Sequence, residues 1–195
     1  MGKILSSLPN TVIAGFVLLA LVIAAYSATF GPLQNVIGNA SFIARYLHVL
    51  SGVMWIGLLW YFNFVQIPTM PSIPDEQKPA IGKHIAPKAL FWFRWGAAAT
   101  VVTGLALAYL NGYVHSALLL ADGFLLIGLG MWMALIMAFN VWFIIWPNQK
   151  IALGIVEADA DAKPKAARTA MLFSRTNTLL SIPMLYCMVG AQNIS

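Results

Sequence analysis

Apolar residues fall in five blocks along the chain, at 11–30, 42–67, 89–110, 117–146 and 171–190. Each is close to the ~20 residues that a helix needs to cross a bilayer. The fourth is longer, which predicts tilt or a helical extension. The pattern therefore predicts an all-α integral membrane fold, a five-transmembrane-helix bundle forming a single membrane domain over residues 1–195. Pro68 and Pro71 are expected to end the second helix and Pro147 the fourth, because proline lacks an N–H and crowds the preceding turn. Pro183 predicts a kink in the last. The first block has no polar face. It is too long for a cleavable signal and reads as a retained, lipid-facing span.

The second block breaks the monotony. In RYLHVLSGVMWIGLLWYFNFVQ (residues 45–66), steps of three and four put His48, Gly52, Trp55, Leu59, Asn63 and Gln66 on one helical face. Polar groups at membrane depth are costly unless satisfied, so this face is expected to look into the bundle. An ionisable residue there is a candidate functional group. His48 is the candidate haem and metal ligand of the span, and Met54 is a Met alternative within it. Gly52 and Trp55 would shape the pocket for a flat macrocycle. A packing histidine bonded to a neighbouring helix is the alternative.

Composition sharpens the class. Hydrophobic residues make up 61% and charged residues only 9%, far from the ~25% charged of soluble domains. The net charge of +5 would suggest nucleic acid in a soluble chain, but here the cations sit between spans. Lys3 and the segments 68–88 and 147–170 hold eight of the 11, and Arg45, Arg94 and Arg175 lie within spans. The positive-inside rule then places the N-terminus in the cytoplasm and the C-terminus outside. The single cysteine, Cys187, excludes a disulfide framework, a CxxCH haem attachment and a cysteine-based metal site.

That topology sorts the polar residues. His48 and His115 share one leaflet and are the feasible pair of axial ligands for a haem b; a single His or a Met ligand would also serve. Asn63, Gln66, Arg94, Asn140, Arg175 and Asn177 map to the opposite, cytoplasmic ends of their spans. They form a candidate substrate-binding set for a planar anion, or else a polar network that ties helices. Arg94 opens its span among Trp92 and Trp95, a position that favours an interfacial, snorkelling side chain over an anion contact. Fifteen residues separate His48 from Asn63, about 22 Å along a helix, so the two sites would not touch. Gly123, Gly128 and Gly130 leave room for a close helix or a cofactor face. The EADADAKPKAAR stretch reads as a solvated helix or loop.

Four blocks, HVLSGVMWIGLLWYFNFVQ, ALFWFRWGAAATVVTG, NVWFIIWPNQK and SRTNTLLSIPMLY, together resemble the membrane domain of the bacterial membrane-bound urate oxidase (urate hydroxylase) family. The resemblance covers most of the chain from about residue 42. It implies oxidation of urate with electrons passed to cytochrome c. Members carry a C-terminal cytochrome c domain, whereas this chain has no CxxCH, so either a separate cytochrome c accepts the electrons or this relative has lost the oxidase activity. The second block is also similar to membrane haem proteins such as HemJ-type protoporphyrinogen oxidases and CopD-type proteins, which implies haem at His48. Two readings compete with the oxidase: a non-catalytic subunit of a respiratory or haem-handling complex, and a small-solute or metal carrier. The spans lack the run of paired ligands that a carrier path needs.

Overall fold

The computed structural model describes residues 2–30 and 39–194 and is helical throughout its regular elements. The expected 31–41 connection lies outside the described residues up to position 38, as does the Lys3 side chain. The chain divides into two units, residues 1–43 and 44–195.

The first unit holds α1 (Gly2–Leu5) and α2 (Leu8–Phe30). Thr11 joins them by donating its hydroxyl to the carbonyls of Ile4 and Ser7. Phe16, Leu21 and most of the other large side chains described on α2 are exposed, as the unbroken apolar run predicts.

The second unit is built from four long helices and one short one. These are α3 (Ala40–Ser72, which starts in the first unit), α4 (Lys78–Leu110), α5 (Val114–Leu118), α6 (Leu125–Ala152) and α7 (Ala162–Gly190). Helices α2, α3, α4 and α6 are long and apolar enough to cross a membrane. Helix α7 spans 29 residues but falls outside that group, because its middle carries Ser174, Arg175, Thr176, Asn177 and Thr178.

Three helices run past prolines, among them Pro68, Pro71 and Pro147, which were expected to stop two of them. Each first opens into a π turn: Tyr61–Gln66 before Pro68, Ile81–Ile85 before Pro87 and Asn140–Ile145 before Pro147. In each, the residue ahead of the proline donates its N–H five residues back: Ile67 to Phe62, Ala86 to Ile81 and Trp146 to Val141. A proline ring collides with the carbonyl four residues back in a regular α-helix. Widening the turn relieves the collision, and the helix goes on. So α3 reaches Ser72 instead of stopping at 67, α4 starts at Lys78 within the polar segment instead of at 89, and α6 continues to Ala152. Pro183 lies inside α7, which stays helical through it.

The expected 117–146 helix is in fact two. The chain turns between α5 and α6, with Leu120 at φ 54° and Gly123 at φ 80°. The absent Cβ of Gly128 lets α5 dock: an atom there would stand 2.2 Å from the Ala117 carbonyl oxygen. His115, expected in a tight turn, belongs to α5.

Small residues bring the long helices together, since they let backbones approach closely. Gly96, Thr100 and Gly104 recur every fourth residue on α4 and meet Trp55, Gly52 and His48 of the antiparallel α3. A Cβ on Gly96 would lie 3.3 Å from the Trp55 backbone nitrogen. On α6, Gly130 packs against Cys187 of α7, where a Cβ would have 3.0 Å. Gly128 and Gly130 thus serve close helix packing, and Gly123 a turn. The core lies between these contacts, with Trp55, Leu59, Phe93, Met137, Val141, Asn177 and Ser181 fully buried.

Candidate functional site

The polar face predicted for residues 48–66 does point inward: Trp55 and Leu59 are fully buried and Asn63 nearly so. Its two ends differ in chemistry.

At the first end, His48 Nδ1 lies 2.9 Å from the Thr100 carbonyl oxygen and 3.3 Å from Thr103 Oγ1. A carbonyl only accepts, so Nδ1 carries the proton and the lone pair is on Nε2. The ring rests on the α4 backbone at Gly104, where a Cβ would stand 2.8 Å from Cε1. This is the arrangement of an imidazole oriented by a backbone acceptor through one nitrogen and open at the other. Gly52 faces Thr100, 4.0 Å from its Cγ2 to the position of a Cβ. Trp55 stands in the core, and its indole N–H has no acceptor. His115 is exposed on α5 and makes no bond to His48. A cavity of about 490 Å³ opens nearby, lined by Arg45, Tyr113, Phe124 and Gln192 among others; neither histidine lines it. Arg45 donates to Gln192 Oε1 across it. Among the described residues no three His, Cys, Asp or Glu side chains gather as a metal centre would require.

At the other end the polar residues divide into two groups. Asn140 Nδ2 donates to Asn177 Oδ1 at 2.9 Å, and Asn177 Nδ2 donates to the Met137 carbonyl at 2.9 Å. These bonds close on themselves and tie α6 to α7. Trp60 likewise ties α3 to α7 through Ser181 Oγ at 3.0 Å. Asn63 is only half engaged. Its Nδ2 donates to the Leu59 carbonyl at 2.9 Å and to Ser174 Oγ at 2.7 Å, while its Oδ1 is buried and receives nothing. Gln66 Oε1 is also buried without a donor, and Arg94 Nε and Nη1 are buried without an acceptor. The Arg94 guanidinium lies on the indole of Trp146, 3.4 Å from its centroid, with Trp142 at 6.0 Å. Arg175 is exposed and stands apart from this set.

Asn63 and Asn140 both sit in π turns, where the widened backbone re-aims side chains and functional sites often lie. The structure thus brings Asn63, Gln66 and Arg94 to one end as open hydrogen-bonding groups, and makes Asn140 and Asn177 a closed strut. Ser174, Ser181, Trp60 and Trp146 complete the arrangement. The first two share a face with Asn177 at spacings of three and four, a signal already present in the sequence. The Arg94–Trp146 contact joins positions 52 apart and left no local trace.

Each buried group without a partner costs roughly 1–3 kcal/mol. Such a set fits a ligand that offers both N–H donors and an anionic oxygen.

No curated protein and no solved structure matches the chain. Residues 123–193 match the urate oxidase N-terminal family. The match takes in α6 and α7, with Asn140, Trp146, Ser174, Arg175 and Asn177, but not the blocks of α3 and α4 that carry His48, Asn63, Gln66 and Arg94. That stretch of the helical bundle is therefore similar to the urate oxidase N-terminal family.

Proposed function

We propose that this chain is a multi-pass protein of a bacterial inner membrane and a haem-b redox protein of the urate oxidase type. It would cross the bilayer five times, N-terminus cytoplasmic, and form one functional domain. It would oxidise urate or a related planar anion and pass electrons to a separate cytochrome c. The observation that carries the reading is the family match over residues 123–193. Support comes from the end of the bundle where that stretch meets Arg94. There Arg94 would face an anionic oxygen, and Asn63 Oδ1 and Gln66 Oε1 would accept from ring N–H groups. Asn140 and Asn177 would fix the wall behind them, and Arg175 would stand at the approach.

His48 would hold the haem through Nε2, with Gly52 and Trp55 on the same helical face and His115 as the second axial ligand. Haem b there would supply a one-electron carrier whose potential follows from its axial ligands and burial. The chain's own part is to fix the imidazole through the Thr100 carbonyl and keep Nε2 unprotonated.

The test is the reduced-minus-oxidised visible spectrum of the detergent-purified chain supplied with haem, followed by urate-dependent reduction of cytochrome c. A b-type signal that His48→Ala abolishes, together with urate-driven reduction, is expected. Full haem retention in His48→Ala overturns the ligand assignment.

A second reading is a non-catalytic membrane subunit of a respiratory or haem-handling complex, or of a homo-oligomer. The closed Asn140–Asn177–Met137 chain favours it, because those amides tie helices together. Stoichiometric partner subunits without urate consumption would select it.

A further inference from the structure

We infer that Trp146 is a positioning residue that holds the Arg94 guanidinium flat at an anion seat, with Lys150 as a second cation on the same ring. The inference rests on the urate-type reading for its natural ligand, though not for its geometry.

Trp142, Trp146 and Lys150 recur every fourth residue across the third π turn, where α6 regains its α-helical form. Arg94 approaches this ladder from α4. Its guanidinium carbon lies 3.4 Å from the Trp146 centroid, and Lys150 Nζ lies 5.7 Å from the same ring. A ring centroid at that distance is in van der Waals contact and within cation–π range. Stacking occupies a face of the guanidinium, while its N–H bonds lie in the plane and point sideways. The indole therefore fixes the plane without consuming a donor. Nε and Nη1 remain buried and without acceptors.

Arginine at such a depth ordinarily snorkels or finds a carboxylate. Arg94 does neither. The one ion pair among the described residues joins Lys78 to Asp75. A guanidinium held inward, beside a second cation and facing no carboxylate, has the electrostatics of a seat for an exogenous anion. Asn63 adds an independent sign of a ligand. It is nine-tenths buried, and its Oδ1 receives no hydrogen bond. Open donors on Arg94 and open acceptors on Asn63 and Gln66 thus lie on neighbouring helices, joined by the Phe62–Phe93 contact. That combination selects a planar anion with its own N–H groups over a neutral or fully substituted ring.

The experiment measures binding of urate and of caffeine, a neutral ring without N–H groups, to the full chain in detergent. The variants are Arg94→Gln, Trp146→Phe and Trp146→Leu, with thermal unfolding of each as a check on folding. Urate is expected to bind in preference to caffeine. Arg94→Gln should weaken urate about 10–100-fold and Trp146→Leu about 10-fold, with caffeine unchanged. Trp146→Phe keeps an aromatic face and should stay within about 3-fold of the wild type. Equal losses in Trp146→Phe and Trp146→Leu, or an unchanged preference in Arg94→Gln, overturn the inference and leave the urate reading standing. Iodide quenching of tryptophan fluorescence tests the seat without urate. A wild-type quenching component that vanishes in both Arg94→Gln and Trp146→Phe sustains an anion seat even where urate fails to bind, which would sink the urate reading alone. Quenching indifferent to Arg94 sinks the seat.

Discussion

Asn177 and Gln66 are both amide side chains in the same half of the bundle, and the structure treats them oppositely. Asn177 is fully buried, accepting from Asn140 and donating to Met137. Gln66 keeps a buried Oε1 that nothing donates to. A satisfied buried amide specifies how helices meet, and removing it exposes its partners to the full desolvation penalty. An unsatisfied one already pays that penalty in the free protein and recovers it only when something binds. Chemically similar residues are thereby sorted into framework and site by their partners.

The largest expected effect tests the framework side. Asn177→Ala strands Asn140 Nδ2 and the Met137 carbonyl, and should cost about 2–4 kcal/mol in denaturant or thermal unfolding. A change near zero would mean that the amide pair is no strut.

Gln66→Met tests the other side. It removes an acceptor that lacks a donor, so the free protein should unfold at the same temperature or slightly higher. Urate binding should weaken about 10-fold, the worth of roughly one hydrogen bond. A marked fall in stability would place Gln66 with the framework instead.

The smallest effect belongs to a charge pair outside the bundle. Lys78 donates to Asp75 at 2.6 Å. That hydrogen bond, then the ammonium charge, holds the Asp75 carboxyl below its usual range. A depressed carboxyl stabilises above its unfolded pKa, and the contribution is lost as pH falls through the folded value. Asp75 is exposed, so solvent screens the pair. Asp75→Asn should leave the unfolding curve at pH 7 superimposable on that of the wild type. A resolved shift would give this loop a structural role it lacks in the present account.

Much of the architecture was legible because membrane helices announce themselves in length and apolarity. The inward face from His48 to Gln66 was legible from its three-and-four spacing. The helix ends were not. A rule that stops helices at proline holds for i→i−4 bonding, and Pro68, Pro87 and Pro147 each follow a turn that has left that pattern. Nor was the break near Leu120 visible, since a leucine at positive φ has no compositional signal. For Arg94, position in the sequence favoured the water interface. The tryptophan that holds it inward comes from another helix and is brought there only by tertiary packing.

The wide turns carry one more consequence, for how such a chain can change over generations. A π turn is what a single extra residue becomes once a helix has absorbed it without unravelling. Downstream of each one, every side chain is rotated by about 100° relative to an unbroken helix. The tryptophan at position 146 owes its bearing to such an offset. The added residue and the proline beyond it therefore form a unit of inheritance. Losing either alone would turn the far end of the helix toward the wrong neighbours, so the two are best gained and lost together.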